Sequence, residues 1–465
     1  MKTDNIEDIY ELSPIQKGIL FQSLYEPELG TYLFQISSTL QGNLDLEAFE
    51  LAWQKIVARH STLRTSFYWE DLANPVQVVH RQVHVPVTYY DWRSLEPEEQ
   101  QKQFHLWLKS DRSLGFDFAA ECLMRLSLFR LDDRVYQFVW THHFIIIDGW
   151  SIPLVFEDFT EFYRSIVLDR DLFIVPEIPY RKYIEWLQQR DLTKAEKFWK
   201  RTLAGFKNST SLKNLYSNHQ SNQDEKYDEQ QIELSKTITA SLEALAKQYQ
   251  FTMGTLVQGV WAILLGRYSC QNEVVYGCTV SGRPVDLEGI ESMVGMLVNT
   301  LPVRVNLDGE KYLTDWLGQL QSYLVEMRQY EYTPLVEVQG WSEVSRSSPL
   351  FESIVVFENV PDAQIDLEET KDSLTVLNPT SYYKTNYPLT IVVYPGSSLV
   401  IGINYDFRHF DAATIDGILK DFELFFLNIV TNHKVRLKDL SWLSPTQQQT
   451  KNNLAQEIVF DFNFH

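Results

Sequence analysis

Segments with a two-residue apolar repeat alternate with segments of helical repeat along nearly the whole chain. Residues 33–40 alternate as a half-buried strand does. After the two candidate caps Asn43 and Asp45, the apolar side chains of Phe49, Trp53 and Ile56 share one helical face. The pattern predicts further strands at 123–130, 135–141, 274–280, 353–358, 389–394 and 398–405, and further helices at 152–167, 180–204, 239–250, 253–268, 312–329 and 412–430. This interleaved order predicts an α/β fold of layered sheets and helices.

The chain is long enough for two such units. Its 465 residues exceed what one compact core normally holds and suit two lobes of about 200 residues each. A polar stretch at about 206–231, rich in Asn, Ser, Gln and Lys, predicts a long surface loop or a linker between the lobes.

Composition excludes several classes of protein. Apolar residues make up 44% and aromatic residues 14% of the chain, which is typical of a folded protein and not of a disordered one. A net charge of −21 argues against binding to nucleic acid phosphates or to an anionic membrane surface. No apolar run approaches the roughly 20 residues that span a bilayer. We therefore expect no nucleic acid and no membrane among its partners.

The cysteines and the first residues favour a cytoplasmic protein. Cys122, Cys270 and Cys278 are odd in number and lack the spacing of metal ligands, which indicates a reducing compartment and no metal site. Residues 1–14 contain no apolar core, so they do not read as a signal peptide.

The strongest candidate for a functional site is the stretch Trp140-Thr-His-His-Phe-Ile-Ile-Ile-Asp-Gly-Trp-Ser151, in which two histidines and an aspartate stand among apolar residues. Histidine in a dry cleft is suited to proton transfer or to stabilising a cationic amine. The alternative is that His142 and His143 are structural. Chelation of one metal ion by the pair is disfavoured, because adjacent strand residues point to opposite faces. Asp148 and Gly149 predict a tight turn, and a buried aspartate needs a partner.

The stretch resembles the signature of nonribosomal peptide synthetase condensation domains, which reads His-His, three residues, Asp-Gly. Other segments resemble the family's remaining motifs in the family's order, over about 450 residues. They are Leu12-Ser-Pro-Ile-Gln16, Arg59-His-Ser-Thr-Leu-Arg-Thr-Ser-Phe67, Tyr180-Arg-Lys-Tyr-Ile-Glu-Trp186, Val294-Gly-Met-Leu-Val-Asn-Thr-Leu-Pro302, Tyr332-Thr-Pro-Leu335 and Ser345-Arg-Ser-Ser-Pro-Leu350. On these motifs the chain is identified as a member of that family.

The resemblance implies a fold of two chloramphenicol-acetyltransferase-like lobes arranged as a V-shaped pseudo-dimer with a central tunnel. Residues 1–177 would form the N-terminal lobe, and residues 178–465 the C-terminal lobe with a crossing segment near 278–300. It also implies an acyltransferase that forms a peptide bond between a carrier-bound acyl thioester and a carrier-bound aminoacyl acceptor. The expected partners are donor and acceptor peptidyl carrier proteins and a neighbouring adenylation domain. Phosphopantetheine would come from the carriers, with no cofactor or metal bound by the domain itself, and the excised domain is expected to be a monomer.

The chain departs from the family pattern at one central position. Counted back from Asp148, the family's first histidine falls on His143 and its second, catalytic histidine falls on Phe144. Phenylalanine can neither give nor take a proton, so the resemblance implies an impaired catalyst, through natural loss or deliberate replacement of the histidine. The alternative is a one-residue insertion after His143, which would move the strand's side chains to the other face.

The resemblance assigns roles to further residues. Asp148 is structural in the family, and Arg64 is expected to be its ion-pair partner, with an exposed Arg64 as the alternative. Gly149 is expected to serve the turn. Trp150, Ser281 and Asn386 are candidate tunnel residues. Core packing is the alternative for Trp150, and Asn386 is either a turn former or a donor to a carbonyl or oxyanion. The segment Ser281-Gly-Arg-Pro284 resembles the family's crossing segment, and Arg283 is expected to pair across the interface between the lobes.

Two other functions stay open. A noncatalytic domain that docks carrier proteins or a tailoring enzyme would keep the fold and make no bond, and Phe144 favours it over an ordinary active domain. An epimerisation-type relative uses a similar His-His motif, which Phe144 would also damage.

Overall fold

The structure is a computed structural model that describes residues 3–26, 30–172, 176–216, 227–358 and 374–440. Its strands are β1 (Ile6–Glu11), β2 (Leu33–Gln41), β3 (Thr65–Tyr68), β4 (Val76–His80), β5 (Val87–Asp91), β6 (Met124–Asp132), β7 (Val135–His143), β8 (Tyr227–Glu233), β9 (Glu273–Val280), β10 (Asn299–Asn306), β11 (Ser353–Phe357), β12 (Thr375–Tyr383), β13 (Leu389–Tyr394) and β14 (Val400–Asp406). Its α-helices are α1 (Pro14–Tyr25), α2 (Leu46–Arg59), α3 (Pro97–Ser113), α4 (Ser151–Val167), α5 (Arg181–Gln188), α6 (Leu192–Leu203), α7 (Lys236–Tyr249), α8 (Met253–Ser269), α9 (Leu313–Arg328), α10 (Leu335–Trp341) and α11 (Ala412–Thr431).

The chain forms two compact units, and it passes between them more than once. The first unit comprises residues 1–190, 281–298 and 360–386, and the second comprises 191–280, 299–359 and 387–465. These boundaries differ from a single division at 177/178, since residues 178–190 and most of the segment near 278–300 belong to the first unit. Compact units need not coincide with the family's lobes, so the division into lobes at 177/178 stays a prediction.

The first unit contains two sheets. Strands β1, β4 and β3 form a small sheet in that order, and a five-stranded sheet has the order β12-β2-β7-β6-β5. Strand β7 lies at the centre of the larger sheet and runs antiparallel to both neighbours, with Leu33 opposite His143 and Met124 opposite His142. The end of β7 is thereby fixed by ladders on both sides.

Helices α2 and α4 pack together in the first unit around large aromatic side chains. Of the two candidate caps, Asp45 and not Asn43 begins helix α2, and the side chain of Asp45 accepts a hydrogen bond from the N–H of Ala48 at 3.0 Å. Trp53 on α2 is fully buried and packs against Trp140 of β7 and Phe159 of α4. This aromatic core holds the sheet, α2 and α4 together.

The second unit is built on one six-stranded sheet of order β10-β9-β11-β13-β14-β8. Strand β11 runs parallel to β9 and β13, while the other pairs are antiparallel. Helix α8 is buried along most of its length, which explains why its sequence is apolar on nearly every side.

The α/β fold class and most element positions are confirmed. The helical pattern at 180–204 is two helices, α5 and α6, separated by the cap Asp191. The polar stretch at 206–231 contains a short 3₁₀ turn at Lys213–Leu215 and runs into β8, and its residues 217–226 lie outside the described residues. Within the described ranges, no helix is both long and apolar enough to cross a membrane.

Candidate active site

The His-His segment lies at the end of β7, the central strand of the first unit's large sheet. The strand ends at His143, and a turn over residues 144–149 leads into α4 at Ser151. Backbone hydrogen bonds from Ile146 to His143 and from Ile147 to Phe144 close this turn. The segment is therefore a strand–turn–helix unit in which successive motif residues face different surroundings.

His142 is a core residue. Its ring is completely buried, stacks on Phe34 at 5.2 Å between centroids and lies 4.7 Å from the ring of Trp140. Burial lowers the pKa of His142 to about 3, so the ring is neutral at pH 7. Neither ring nitrogen has a hydrogen-bond partner of good geometry within the described part of the chain. These surroundings fit the structural alternative for His142.

His143 is also buried, and both of its ring nitrogens are engaged by the protein. The N–H of Ile145 donates to Nδ1 at 3.2 Å, and Nε2 lies 3.4 Å from Oγ of Ser23 on α1. Because Nδ1 accepts a hydrogen bond, the proton of the neutral ring resides on Nε2. Burial, with the neighbouring His142, lowers the pKa of His143 to about 3. A neutral imidazole with an occupied lone pair is poorly placed to take a proton from a substrate.

Phe144 turns its side chain away from the deepest core. The ring is partly exposed and packs edge-on against Phe34 at 5.3 Å and Tyr383 at 6.1 Å between centroids. Its backbone N–H donates to the carbonyl oxygen of Tyr32 at 2.8 Å. Position 144 is thus held by its backbone while its side chain reaches a partly open, aromatic-lined surface.

Asp148 lies at the centre of a buried polar cluster. It is 1% exposed, and Arg283 forms a bidentate pair with it, with Nη1 to Oδ2 at 3.0 Å and Nη2 to Oδ1 at 3.2 Å. The same carboxylate accepts hydrogen bonds from the backbone N–H of Ser151, Leu297 and Val298 and from the Ser151 hydroxyl. Asp148 therefore joins the motif turn to the segment around residues 283–298.

The expected pairing of Arg64 with Asp148 is wrong. The guanidinium of Arg64 instead pairs with Glu7, at 2.6 Å from Nη1 to Oε2, and donates to the carbonyl oxygen of His80. Arg64 follows α2 and faces the small sheet, whereas Arg283 is brought to Asp148 by its own loop. The alternative of an exposed Arg64 is also wrong, since the residue is buried.

The loop that carries Arg283 depends on a glycine. Gly282 has a φ of +62°, and a Cβ atom there would lie 1.8 Å from the carbonyl oxygen of Leu297. The carbonyl oxygen of the candidate Ser281 accepts from Nη1 of Arg283 at 3.1 Å. Ser281 thus helps to hold Arg283, and its role towards a substrate stays a prediction.

Gly149 and Trp150 complete the turn. The carbonyl oxygen of Gly149 accepts from the N–H of Ile152 at 3.3 Å, which fits the expected turn role. The expectation that Trp150 packs in the core is wrong, because its side chain is 39% exposed. The guanidinium of Arg283 lies over the Trp150 ring at 5.5 Å, so the tryptophan covers the Asp148 cluster from outside.

Asn386 follows β12 and is held by a residue that the sequence motifs did not indicate. The hydroxyl of Tyr32 donates to Oδ1 of Asn386 at 2.8 Å, and both side chains are partly exposed. Tyr32 precedes β2, and local sequence gives no signal that it meets a residue more than 350 positions away. The candidate tunnel residue Asn386 thereby belongs to the same unit as the motif turn.

Comparison with known proteins decides the family. The sequence model of the condensation domain family matches residues 6–450. The chain is 44% identical over 460 residues to one of the linear gramicidin synthase proteins of Brevibacillus parabrevis, covering 99% of this chain and 6% of that protein. It is 40% identical to a second protein of the same synthase, covering 98% of this chain and 9% of that protein.

The chain belongs to the condensation domain family. The family identification made from the motifs is confirmed, and the domain spans less than a tenth of the length of these two relatives. Solved structures share its fold. A four-domain nonribosomal peptide synthetase, bound to AMP and glycine, matches 95% of this condensation domain and 34% of its own chain, with a TM-score of 0.77 and 18% identity. The X-domain from teicoplanin biosynthesis matches 93% of this chain and 97% of its own, with a TM-score of 0.79 and 22% identity.

The described residues of this condensation domain contain no group of three or more His, Cys, Asp or Glu side chains that could hold a metal ion. The titratable groups of the motif are instead a buried neutral histidine pair and a fully bonded aspartate. Within the described turn, residues 145–148 are buried, whereas Phe144 and Gly149 are partly exposed.

Proposed function

We propose that this condensation domain works within a nonribosomal peptide synthetase, where it brings a carrier-bound acyl thioester together with a carrier-bound aminoacyl thioester. The acceptor amine attacks the donor carbonyl, the C–N bond forms, the C–S bond breaks, and the donor's thiol leaves on its pantetheine arm. The amine loses a proton in this step and the leaving thiolate takes one up. With phenylalanine at the position of the family's catalytic histidine, this chain makes the amide slowly.

The observation that carries the proposal is the contrast between His143 and Phe144. Both ring nitrogens of His143 are engaged inside the unit, whereas the side chain at 144 leaves the core towards a partly exposed surface. A histidine at 144 would present an imidazole there, and the family's spacing from Asp148 assigns its catalytic histidine to this position. The geometry therefore supports Phe144, and not His143, as the residue in the reacting position.

Loss of a positioned acid or base lowers a reaction rate by about 10²–10⁴. Positioning of the two thioesters survives that loss, and it supplies a large share of the acceleration in reactions that join two bound groups. We therefore expect slow turnover rather than none.

The partners follow from the same proposal. The domain would receive phosphopantetheine arms from donor and acceptor peptidyl carrier proteins and would bind no cofactor of its own. A neighbouring adenylation domain would load the acceptor carrier. The curated relatives are synthase proteins many times longer than this chain, which supports a place beside such domains.

A noncatalytic docking role is the second candidate, and Phe144 is the observation that favours it. A domain that only holds carriers or a tailoring enzyme has no use for an imidazole at this position. Such a domain would keep the fold and the Asp148 cluster, because both serve the stability of the unit.

Single-turnover amide formation tests the two candidates. Donor and acceptor carriers are loaded with their thioesters and mixed with this chain, with its Phe144→His variant and with Phe144→Leu. We expect Phe144→His to raise the rate by about 10²–10⁴. Phe144→Leu, which opens space without supplying a base, should leave the rate within a few-fold of this chain.

Two other results count against catalysis at this position. Equal gains for the histidine and leucine variants would mean that the phenylalanine ring only blocks access. No amide from any variant, with carrier binding retained, would replace the condensation proposal with the docking role.

A further inference from the structure

Tyr32 occupies a backbone conformation that its residue type disfavours. Its φ is +64°, in the left-handed region that costs a bulky side chain free energy. Such conformations persist only where the surrounding contacts hold them, and they are concentrated at functional sites. The contacts of Tyr32 therefore indicate what the strained conformation serves.

Tyr32 connects three parts of the first unit. Its N–H donates to the carbonyl oxygen of Lys384 at 2.8 Å, and its own carbonyl oxygen accepts from the N–H of Phe144 at 2.8 Å. Its hydroxyl donates to Oδ1 of Asn386 at 2.8 Å. One residue thus links the motif turn, the end of β12 and the Asn386 side chain.

The hydroxyl contact fixes the orientation of the Asn386 carboxamide. A tyrosine hydroxyl that donates to Oδ1 leaves the two N–H groups of Nδ2 on the other side of the amide. The side chain of Asn386 makes no other hydrogen bond to the described residues, and it is partly exposed. Two contacts connect its surroundings to residue 144: Tyr32, which holds Asn386, also accepts the backbone N–H of Phe144, and the ring of Tyr383 lies 6.1 Å from that of Phe144 between centroids.

We propose that Tyr32 is a positioning residue, which holds the Asn386 carboxamide so that Nδ2 donates a hydrogen bond to the carbonyl oxygen of the acyl thioester bound beside residue 144. This inference rests on the proposed condensation function. A carbonyl oxygen gains negative charge when the amine attacks, so a preorientated donor stabilises that state more than it stabilises the ground state. The two backbone contacts of Tyr32 explain the strained loop, but they do not require a hydroxyl.

Binding of two matched small molecules tests the proposal on this chain without any turnover. One probe is an S-acyl pantetheine thioester, and the other is the S-alkyl pantetheine thioether of the same chain length, which has no carbonyl at that position. Titration calorimetry measures both with this chain and with Tyr32→Phe, Asn386→Ala, Asn386→Asp and the Tyr32→Phe/Asn386→Ala double variant.

We expect Tyr32→Phe and Asn386→Ala each to weaken binding of the thioester about three- to tenfold and to leave the thioether unchanged. The double variant should be no weaker than Asn386→Ala, because both changes remove one contact. Asn386→Asp keeps the acceptor for Tyr32 but cannot donate, so it should behave as Asn386→Ala does. The thermal midpoint should stay within a few degrees of the parent's in every variant.

Three results would overturn the proposal. The first is an equal loss of affinity for the thioester and the thioether in the single variants. The second is a loss of thioester affinity in the double variant that equals the sum of the two single losses. The third is full thioester affinity in Asn386→Asp. Binding of neither probe by the parent chain would also overturn it. If Phe144→His forms amide from loaded carriers while the probes show one of these results, the positioning role fails and the condensation function stands.

Discussion

At the scale of single residues, Asp148 shows how a motif residue can be structural and still decide the site. Its carboxylate is buried and fully bonded, and its partners include backbone N–H groups of Leu297 and Val298. A charge removed from water is tolerated only with such compensation. Asp148 therefore fixes the turn that holds position 144, and its carboxylate is occupied by protein partners.

A double-mutant cycle checks which arginine serves Asp148. We expect Asp148→Asn and Arg283→Gln each to lower the free energy of unfolding by about 3 kcal/mol, because each leaves a buried partner without its counterion. The coupling energy between these two changes should exceed about 1 kcal/mol, and that between Asp148→Asn and Arg64→Gln should be near zero. Urea denaturation followed by tryptophan fluorescence measures both. Strong coupling of Asp148 to Arg64 instead would contradict the observed pairing.

At the scale of elements, a buried histidine ties helices α2 and α4 together. His60 ends α2 and is 2% exposed, with Nε2 at 2.7 Å from Oδ2 of Asp158 on α4. Its Nδ1 lies 3.0 Å from Oε1 of Glu177, in the segment before α5. Burial lowers the pKa of His60, but the hydrogen bonds and charges of the two carboxylates outweigh burial and raise the pKa above its usual 6.5.

The raised pKa of His60 predicts a pH-dependent contribution to stability. A group that binds its proton more tightly in the folded state contributes fully below the unfolded pKa of about 6.5, and the contribution is lost as the pH rises through the folded pKa. We expect His60→Gln to destabilise the protein by about 3 kcal/mol at about pH 6 and by clearly less at about pH 9. The exposed His84→Gln is the matched control and should show no such difference. An equal loss for His60→Gln at both pH values would mean that His60 is not charged in the fold.

The elements also show what a sequence predicts and what it does not. Strand β7, helix α4 and the cap Asp45 follow from local periodicity and capping chemistry, which the chain carries within about 15 residues. The pairing of β12 with β2 joins residues more than 330 positions apart, and no local pattern specifies that register. The same holds for charges: burial of Asp148 requires a cation, but the choice between Arg64 and Arg283 depends on a loop that Gly282 makes possible.

At the scale of the whole molecule, the motifs that indicate the family are spread over both compact units, whereas the proposed chemistry depends on one turn in the first unit. The order of motifs predicted the family because several segments had to match together. The tie between Tyr32 and Asn386 was not predictable in this way, since it joins a strained residue before β2 to the residues after β12. The proposed reaction therefore depends most on which residue occupies the reacting position.

The most direct measurement is the single-turnover rate of amide formation by His143→Gln, compared with this chain and with Phe144→His at saturating loaded carriers. We predict that His143→Gln stays within about threefold of this chain, since His143 is neutral and bonded inside the unit, while Phe144→His gains about 10²-fold or more. A loss of about 10²-fold in a folded His143→Gln protein, together with no gain from Phe144→His, would contradict this assignment. That result would assign the proton transfer to His143 and mean that one residue is inserted after it.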